Sequence, residues 1–183
     1  MPTANEHNLA LDRLHTRTTQ CFTLLVWITK VRPHLHAGDD NGAHILVMMN
    51  NAAVETALIS FRSLNEFFRK RDDRHRSDDV VAEDFHGFIS AGPFLSATES
   101  RDLNKRVMHL TYQEMPLSGV SWKIADWTAR GIPRVIEFLQ HLEKSLSPTD
   151  PEVARTKREI PSFRQMALQT ADLAAREFGA RRQ

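Results

Sequence analysis

The stretch GAHILVMMNNAAVETALISFRSLNEFFRKR, residues 42–71, decides how the chain folds. Val47, Val54, Ala57, Phe61, Leu64 and Phe68 recur at three- and four-residue steps and their sums, the periodicity of one helix face. Asp39, Asp40 and Asn41 stand just ahead of it and supply capping groups for its first turn. Apolar residues also occupy much of the other side, in LVMM (46–49) and ALI (57–59). A helix apolar on most faces is normally packed on by several others, so this segment is expected at the centre of a bundle.

The flanking segments read the same way. From about Glu6 to Arg32, the stripe Leu11, Leu14, Thr18, Cys21, Leu25, Ile28 predicts a long helix that Pro33 ends. Ser96 or Thr98 is placed to cap a third helix, running to about Tyr112 on Leu103, Val107 and Leu110. A fourth helical region covers Trp122 to Leu146, with Ile132, Val135, Ile136, Leu139, Leu142 and Leu146 in register. Gly131 and Pro133 are expected to divide it, by a kink or by a fresh helix with proline in its first turn. The proline-rich, charged run SPTDPEVARTKREIP (147–161) reads as a linker, followed by a last helix bearing Phe163, Ala167, Thr170, Ala174 and Phe178.

No segment alternates apolar and polar residues as a half-buried strand does, and no internal repeat is visible. The expected fold is therefore all-α: a helical bundle of five or six helices with two long central antiparallel helices. The expected organisation is a bundle domain over 1–146, a linker over 147–161, and a C-terminal amphipathic helix over 162–183 packed on the bundle.

Bulk properties narrow the function classes. With 183 residues the chain has room for one ordinary core. The 24 basic and 23 acidic residues nearly cancel, which argues against a surface wholly devoted to nucleic acid while leaving room for a local basic patch. A lone cysteine, Cys21, cannot form an internal disulfide and suits a reducing compartment. The polar first twenty residues and the short apolar run near residues 22–28 predict a cytoplasmic protein without a membrane span.

Two polar sets stand out against the apolar pattern. Asn51, Glu55, Arg62 and Glu66 fall within about 60° of one another around the second helix, a narrow polar stripe. Arg62 and Glu66 are spaced for an i,i+4 pair. If buried, such charges must be paired; more often a charged stripe faces water. On the third helix, Asp102, Arg106, His109 and Gln113 flank the apolar stripe, where a histidine is more often solvated or structural than catalytic.

The segment LNKRVMHLT (103–111) nevertheless resembles the signature of the HEPN superfamily (higher eukaryotes and prokaryotes nucleotide-binding domains). These are small helical bundles, many of them prokaryotic toxin and abortive-infection ribonucleases, whose signature is an arginine followed by asparagine or aspartate and, a few residues later, a histidine. Asn104, Lys105 and His109 match the asparagine, lysine and histidine, but Leu103 stands where the arginine belongs. Arg101 lies too early and Arg106 too late to take its place by spacing.

The resemblance implies a defence or toxin–antitoxin type protein directed at RNA, a homodimer packed through the histidine-bearing helix, and a protein partner such as an antitoxin. In an active member His109 would act as general acid or base and Arg106 would bind phosphate, in a metal-independent endoribonuclease. Asn104, Glu55, Arg62 and Asn51 would line the same cleft. Leucine cannot stabilise charge building on a phosphate, so the fold is expected to persist without the reaction. The alternative is a non-catalytic protein-interaction or dimerisation module.

Other chemistries are weaker. His34 and His36 near Asp39 and Asp40, and the single Glu83-x-x-His86, are read as polar loop residues rather than a metal site, and no motif calls for a cofactor. Arg155, Lys157, Arg158, Arg164, Arg176, Arg181 and Arg182 make the tail basic, but its two phenylalanines lie on the apolar stripe. A solvated amphipathic helix is expected there.

Overall fold

The computed structural model describes residues 4–31, 34–36, 38–71, 80–85, 87–108, 123–146 and 154–179. Among the described residues there are five α-helices and no strand: α1 (Ala4–Val26), α2 (Asp40–Phe67), α3 (Ala97–Met108), α4 (Ile124–Ser145) and α5 (Ala154–Gly179). A π-helical turn, Trp27–Val31, continues α1 towards Pro33. The all-α bundle expected from periodicity is what forms.

The stripes become the core. On α1, Leu11, Leu14, Cys21, Leu24 and Leu25 are buried, and on α4 Ile132, Val135, Leu139 and Leu142 are, with Leu146 just past its end. Phe138 sits at the hub of an aromatic cluster. Its ring centroid lies 5.1 Å from Phe67, 5.3 Å from Phe85 and 5.1 Å from Phe88, each pair edge-on. Buried Thr18, Thr128 and Thr170 return their hydroxyls to the carbonyl four residues back, so none is left unpaired in the core.

Local chemistry sets the helix starts. The Asp39 side chain accepts from the Gly42 backbone N–H at 2.7 Å and caps α2. For α3 the cap is Ser96, in a reciprocal box: Ser96 Oγ accepts from the Glu99 N–H, and the Glu99 carboxylate accepts from the Ser96 N–H at 2.8 Å.

Three expectations change. First, α4 runs unbroken through Gly131 and Pro133. The proline ring is exposed, and Gly131 faces Phe94 so closely that an added Cβ would meet its ring at 3.0 Å. Gly131 thus serves a close approach rather than a break. Second, α5 begins at Ala154, inside the stretch read as a linker, and carries Pro161 within it. Pro161 points outward while Ile160 and Phe163 are buried, so packing sustains the helix that composition argued against. Helix α5 packs mainly on α4 and also on α1. The Arg164–Glu143 ion pair and the His15–Phe163 ring contact at 4.8 Å mark those two seams.

Third, α2 is covered over only part of its length. Its buried residues run from Ala57 to Asn65, whereas Ile45 (57%), Val47 (57%) and Met48 (67%) are exposed. By length and composition alone α2 reaches the range of a membrane-crossing helix, with mean hydropathy 1.2 over its most apolar window and 22% of that window buried. Its second half serves the bundle core; its first half projects an apolar surface outward.

Candidate functional site: an arginine-lined groove

A groove of about 970 Å³ opens where α1, α2 and α3 come together. Arg13 and Arg17 come from α1, Arg62, Glu66 and Arg69 from or just after α2, and Asn104 from α3, over an apolar floor that includes Leu14, Leu64 and Phe67. Four arginines face one glutamate, so a chain with net charge +1 concentrates positive charge here.

Helical register explains the placement. Arg13 and Arg17 are one turn apart beside the buried pair Leu14 and Thr18, which aims both cations along the edge of α1. On α2, Phe61 and Leu64 point into the core and leave Arg62 on the flank. On α3, Leu103 is fully buried, which turns its neighbour Asn104 to the groove.

The polar atoms are unequally satisfied. Glu66 pairs with Arg69 at 2.8 Å, not with Arg62 one turn earlier. An Arg17 terminal nitrogen donates to Gln20 Oε1 at 3.1 Å, and the Ser60 hydroxyl lies 2.7 Å from that same oxygen. By contrast, among the described residues neither Arg62 Nε nor Asn104 Oδ1, both buried, has a hydrogen-bond partner. One is a donor and the other an acceptor, yet they do not satisfy each other. Orphaned buried polar groups are uncommon because each forfeits its hydration; among the described residues Trp27 Nε1, which does not line the groove, is a third.

The residues singled out from sequence separate into three groups. Arg62 and Asn104 both line the groove. Glu55 is exposed and Asn51 half-buried, and neither lines the groove. Two helical turns, about 10 Å of axial rise, separate Glu55 from Arg62, so sharing a face did not mean sharing a site. His109 lies outside the described residues, as does the side chain of Arg106, whose backbone belongs to α3. Arg13 and Arg17 were missed. The hint available was the i,i+4 arginine pair in LDRLHTR (11–17), set beside the apolar stripe instead of opposite it.

A smaller cavity of about 670 Å³ lies between the start of α3 and α4. Its chief charged groups are engaged with each other. Glu99 Oε1 accepts from Arg130 at 2.7 Å and from Trp127 Nε1 at 3.0 Å, and Arg130 also donates to the Phe94 carbonyl. Partial burial alone would raise the Glu99 pKa, but the hydrogen bonds from Arg130, Ser96 and Trp127 prevail and hold it down at about 2. This cluster is a clasp between α3 and α4.

Metal chemistry finds no footing among the described residues, where no three His, Cys, Asp or Glu side chains gather. Asp39 is engaged as the α2 cap, His34 and His36 are exposed, and His86 lies outside the described residues. Burial pushes the Cys21 thiol far above its ordinary pKa, with nearby Arg17 only a smaller opposing influence, so it is a core residue and not a nucleophile.

Fold and groove together define a class: an all-α bundle with an arginine-lined groove. Comparisons with protein-family models, with curated proteins and with solved structures find no match for this chain.

Proposed function

We propose that this is a HEPN-like helical protein of the prokaryotic defence or toxin–antitoxin type that engages RNA in the cytoplasm and has lost the ribonuclease reaction. The observation that carries the RNA-directed reading is the arginine groove, where Arg62 and Asn104 of the expected cleft stand with Arg13 and Arg17. Arginines collected in a concave site suit phosphate oxygens, which their planar, multiply donating heads match. The loss of reaction is supported by Leu103. At the position where the signature has an arginine, this side chain is fully buried in the core and unavailable to any phosphate.

The test is RNA integrity and RNA binding measured side by side for the purified protein, His109→Ala and buffer. Binding without cleavage is expected, with His109→Ala unchanged in both. Cleavage that His109→Ala abolishes would instead assign His109 as general acid or base, with Arg106 as the phosphate ligand. Absence of RNA binding would overturn the RNA-directed reading.

A second reading, a dimerisation module, is favoured by the apolar first half of α2. From Asn41 to Val54 there is no Asp, Glu, Lys or Arg, and Ile45, Val47, Met48 and Met49 are exposed. Two copies can bury this surface against each other without opposing charges. Light scattering should then show a dimer, and replacing Ile45, Met48 and Met49 together with serine should give a folded monomer. This surface differs from the histidine-bearing helix that the family resemblance implies for dimerisation. A wild-type monomer at micromolar concentration would remove the reading.

A further inference from the structure

Helix α2 carries two apolar faces. Ala57, Leu58, Phe61 and Leu64 point into the bundle and are buried. Ile45, Met48, Met49, Ala52, Thr56 and Ile59 fall within about 100° of one another on roughly the opposite side, and all six are exposed. The exposure is large for apolar side chains, 57% for Ile45 and 67% for Met48. Among the described residues nothing covers this second face.

The face has the form of a helix seam. Ile45, Met49, Ala52, Thr56 and Ile59 step by four, three, four and three residues, the spacing that lets one helix lie along another. The row also reads nearly alike in both directions, with Ile45 and Ile59 seven residues either side of Ala52. A self-symmetric row suits an isologous contact, in which a patch meets the same patch on a second copy. Ala52, the smallest side chain in the row, is where two helix axes approach most closely.

Charge decides the direction. Asp39 and Asp40 are exposed at the start of α2, while Arg62 and Arg69 stand near its end in the groove with Arg13 and Arg17. The groove's Glu66 is already held by Arg69. Asp40 and Arg62 lie within about 40° of each other around α2, on the same side of the seam. In an antiparallel pair centred on Ala52, Asn41 comes level with the partner's Ser63, a residue of the groove wall. Asp40 then falls about 3 Å along the axis from the partner's Arg62, and symmetry repeats the contact at the other end. A parallel pair would gather four aspartates at one end, about 33 Å along the helix from Arg62.

We infer that two copies of this chain pair antiparallel along the outward face of α2, with the acidic turn of each at the mouth of the other's arginine groove. This rests on the dimerisation reading above and deepens it, by fixing the direction and centre of the contact and adding the partner's Asp39 and Asp40 to the groove. A lipid surface fits the face less well. Asn51 and Glu55 border the row, and any approach that sinks Ile45 carries Asp39 and Asp40 with it, charges that lipid excludes.

The experiment uses the full chain with single added cysteines; Cys21 is 1% exposed and stays out of the reaction. Ala52→Cys, Ile45→Cys and Ile59→Cys are oxidised and run on non-reducing gels, each alone and the last two mixed. Ala52→Cys should link to itself. Ile45→Cys should link to Ile59→Cys, and neither should link to itself. Self-linking of both Ile45→Cys and Ile59→Cys would overturn the antiparallel arrangement and leave the dimerisation reading intact. A dimer by light scattering that none of the three cysteines traps would overturn the seam. A wild-type monomer at micromolar concentration would overturn both, and its binding to phosphatidylcholine–phosphatidylglycerol vesicles would give the face to lipid instead.

Dimer affinity tests the charged ends. Asp40→Lys, at an exposed position and with folding confirmed by circular dichroism, should weaken the dimer at least about fivefold, because two symmetric contacts reverse together. Arg158→Gln, exposed on α5, should leave it unchanged. An Asp40→Lys dimer as tight as wild type would overturn the seat of the acidic turn in the groove, even with the expected cross-links.

Discussion

Arg62 on α2 and Asn104 on α3 line one groove, and among the described residues the buried Arg62 Nε–H has no acceptor and the buried Asn104 carbonyl oxygen no donor. A polar atom buried without a partner costs stability. Removing one should therefore help stability as it harms binding. Arg62→Met keeps most of the aliphatic stem and deletes the orphaned donor. It should leave the ligand-free protein as stable as wild type or up to about 1 kcal/mol more so by urea denaturation, since an unsatisfied buried group costs about 1–3 kcal/mol. Destabilisation by more than about 1 kcal/mol would make Arg62 a packing residue instead.

Leu103 offers a sharper contrast. Leu103→Arg would complete the arginine-asparagine-lysine phrase of the signature. It would also place a cation at a fully buried site next to the core. Loss of a buried leucine costs about 2–5 kcal/mol, and an unpaired buried charge adds to that. The variant should unfold or melt far below wild type, and it should not acquire ribonuclease activity. A folded, active Leu103→Arg protein would show that α3 can rotate and that the register described here is wrong.

Acid stability should report the clasp between α3 and α4. The Glu99 carboxyl titrates at about 2 in the folded protein against an ordinary 4.5, so between those values the unfolded chain binds more protons. Stability from this group is present above about pH 4.5 and drains away as pH falls towards 2. Glu99→Gln removes the charge that Arg130 and Trp127 share, so it should be less stable at neutral pH. Across that acid range its stability should also decline less steeply than wild type. Equal slopes in a pH series of melts would contradict the clasp.

Cys21 should resist thiol reagents while the protein is folded. It is 1% exposed and burial disfavours the thiolate, the reactive form. A disulfide reagent at neutral pH should label it only as fast as the chain opens, with full labelling in denaturant. Rapid labelling of the native protein would mean that the α1 core face is accessible.

Much of this architecture is written in the sequence, and the parts that are not have physical reasons. Most stripe residues of α1 and α4 are buried as read, though Ile136 is only half-buried and the stripes omitted the buried Leu24 and Phe138; the caps at Asp39 and Ser96 lie among the residues marked for that role. Periodicity tells which face is apolar but not whether a neighbour reaches it. That is why the first half of α2 was expected to be covered and is not. Composition misjudged residues 154–161, since an outward proline costs a helix one hydrogen bond that burial of Ile160 and Phe163 outweighs. The groove draws Arg13, Arg62 and Asn104 from three helices, and no local spacing encodes such a meeting.

The most direct test follows the Arg62 Nε–H group itself by nitrogen–proton NMR during titration with the single-stranded oligoribonucleotide. Its signal should shift progressively and saturate with the binding curve, while the Arg130 signal, already held against Glu99, stays in place. An Arg62 signal that does not move while arginine signals of the tail do would contradict the account at its centre.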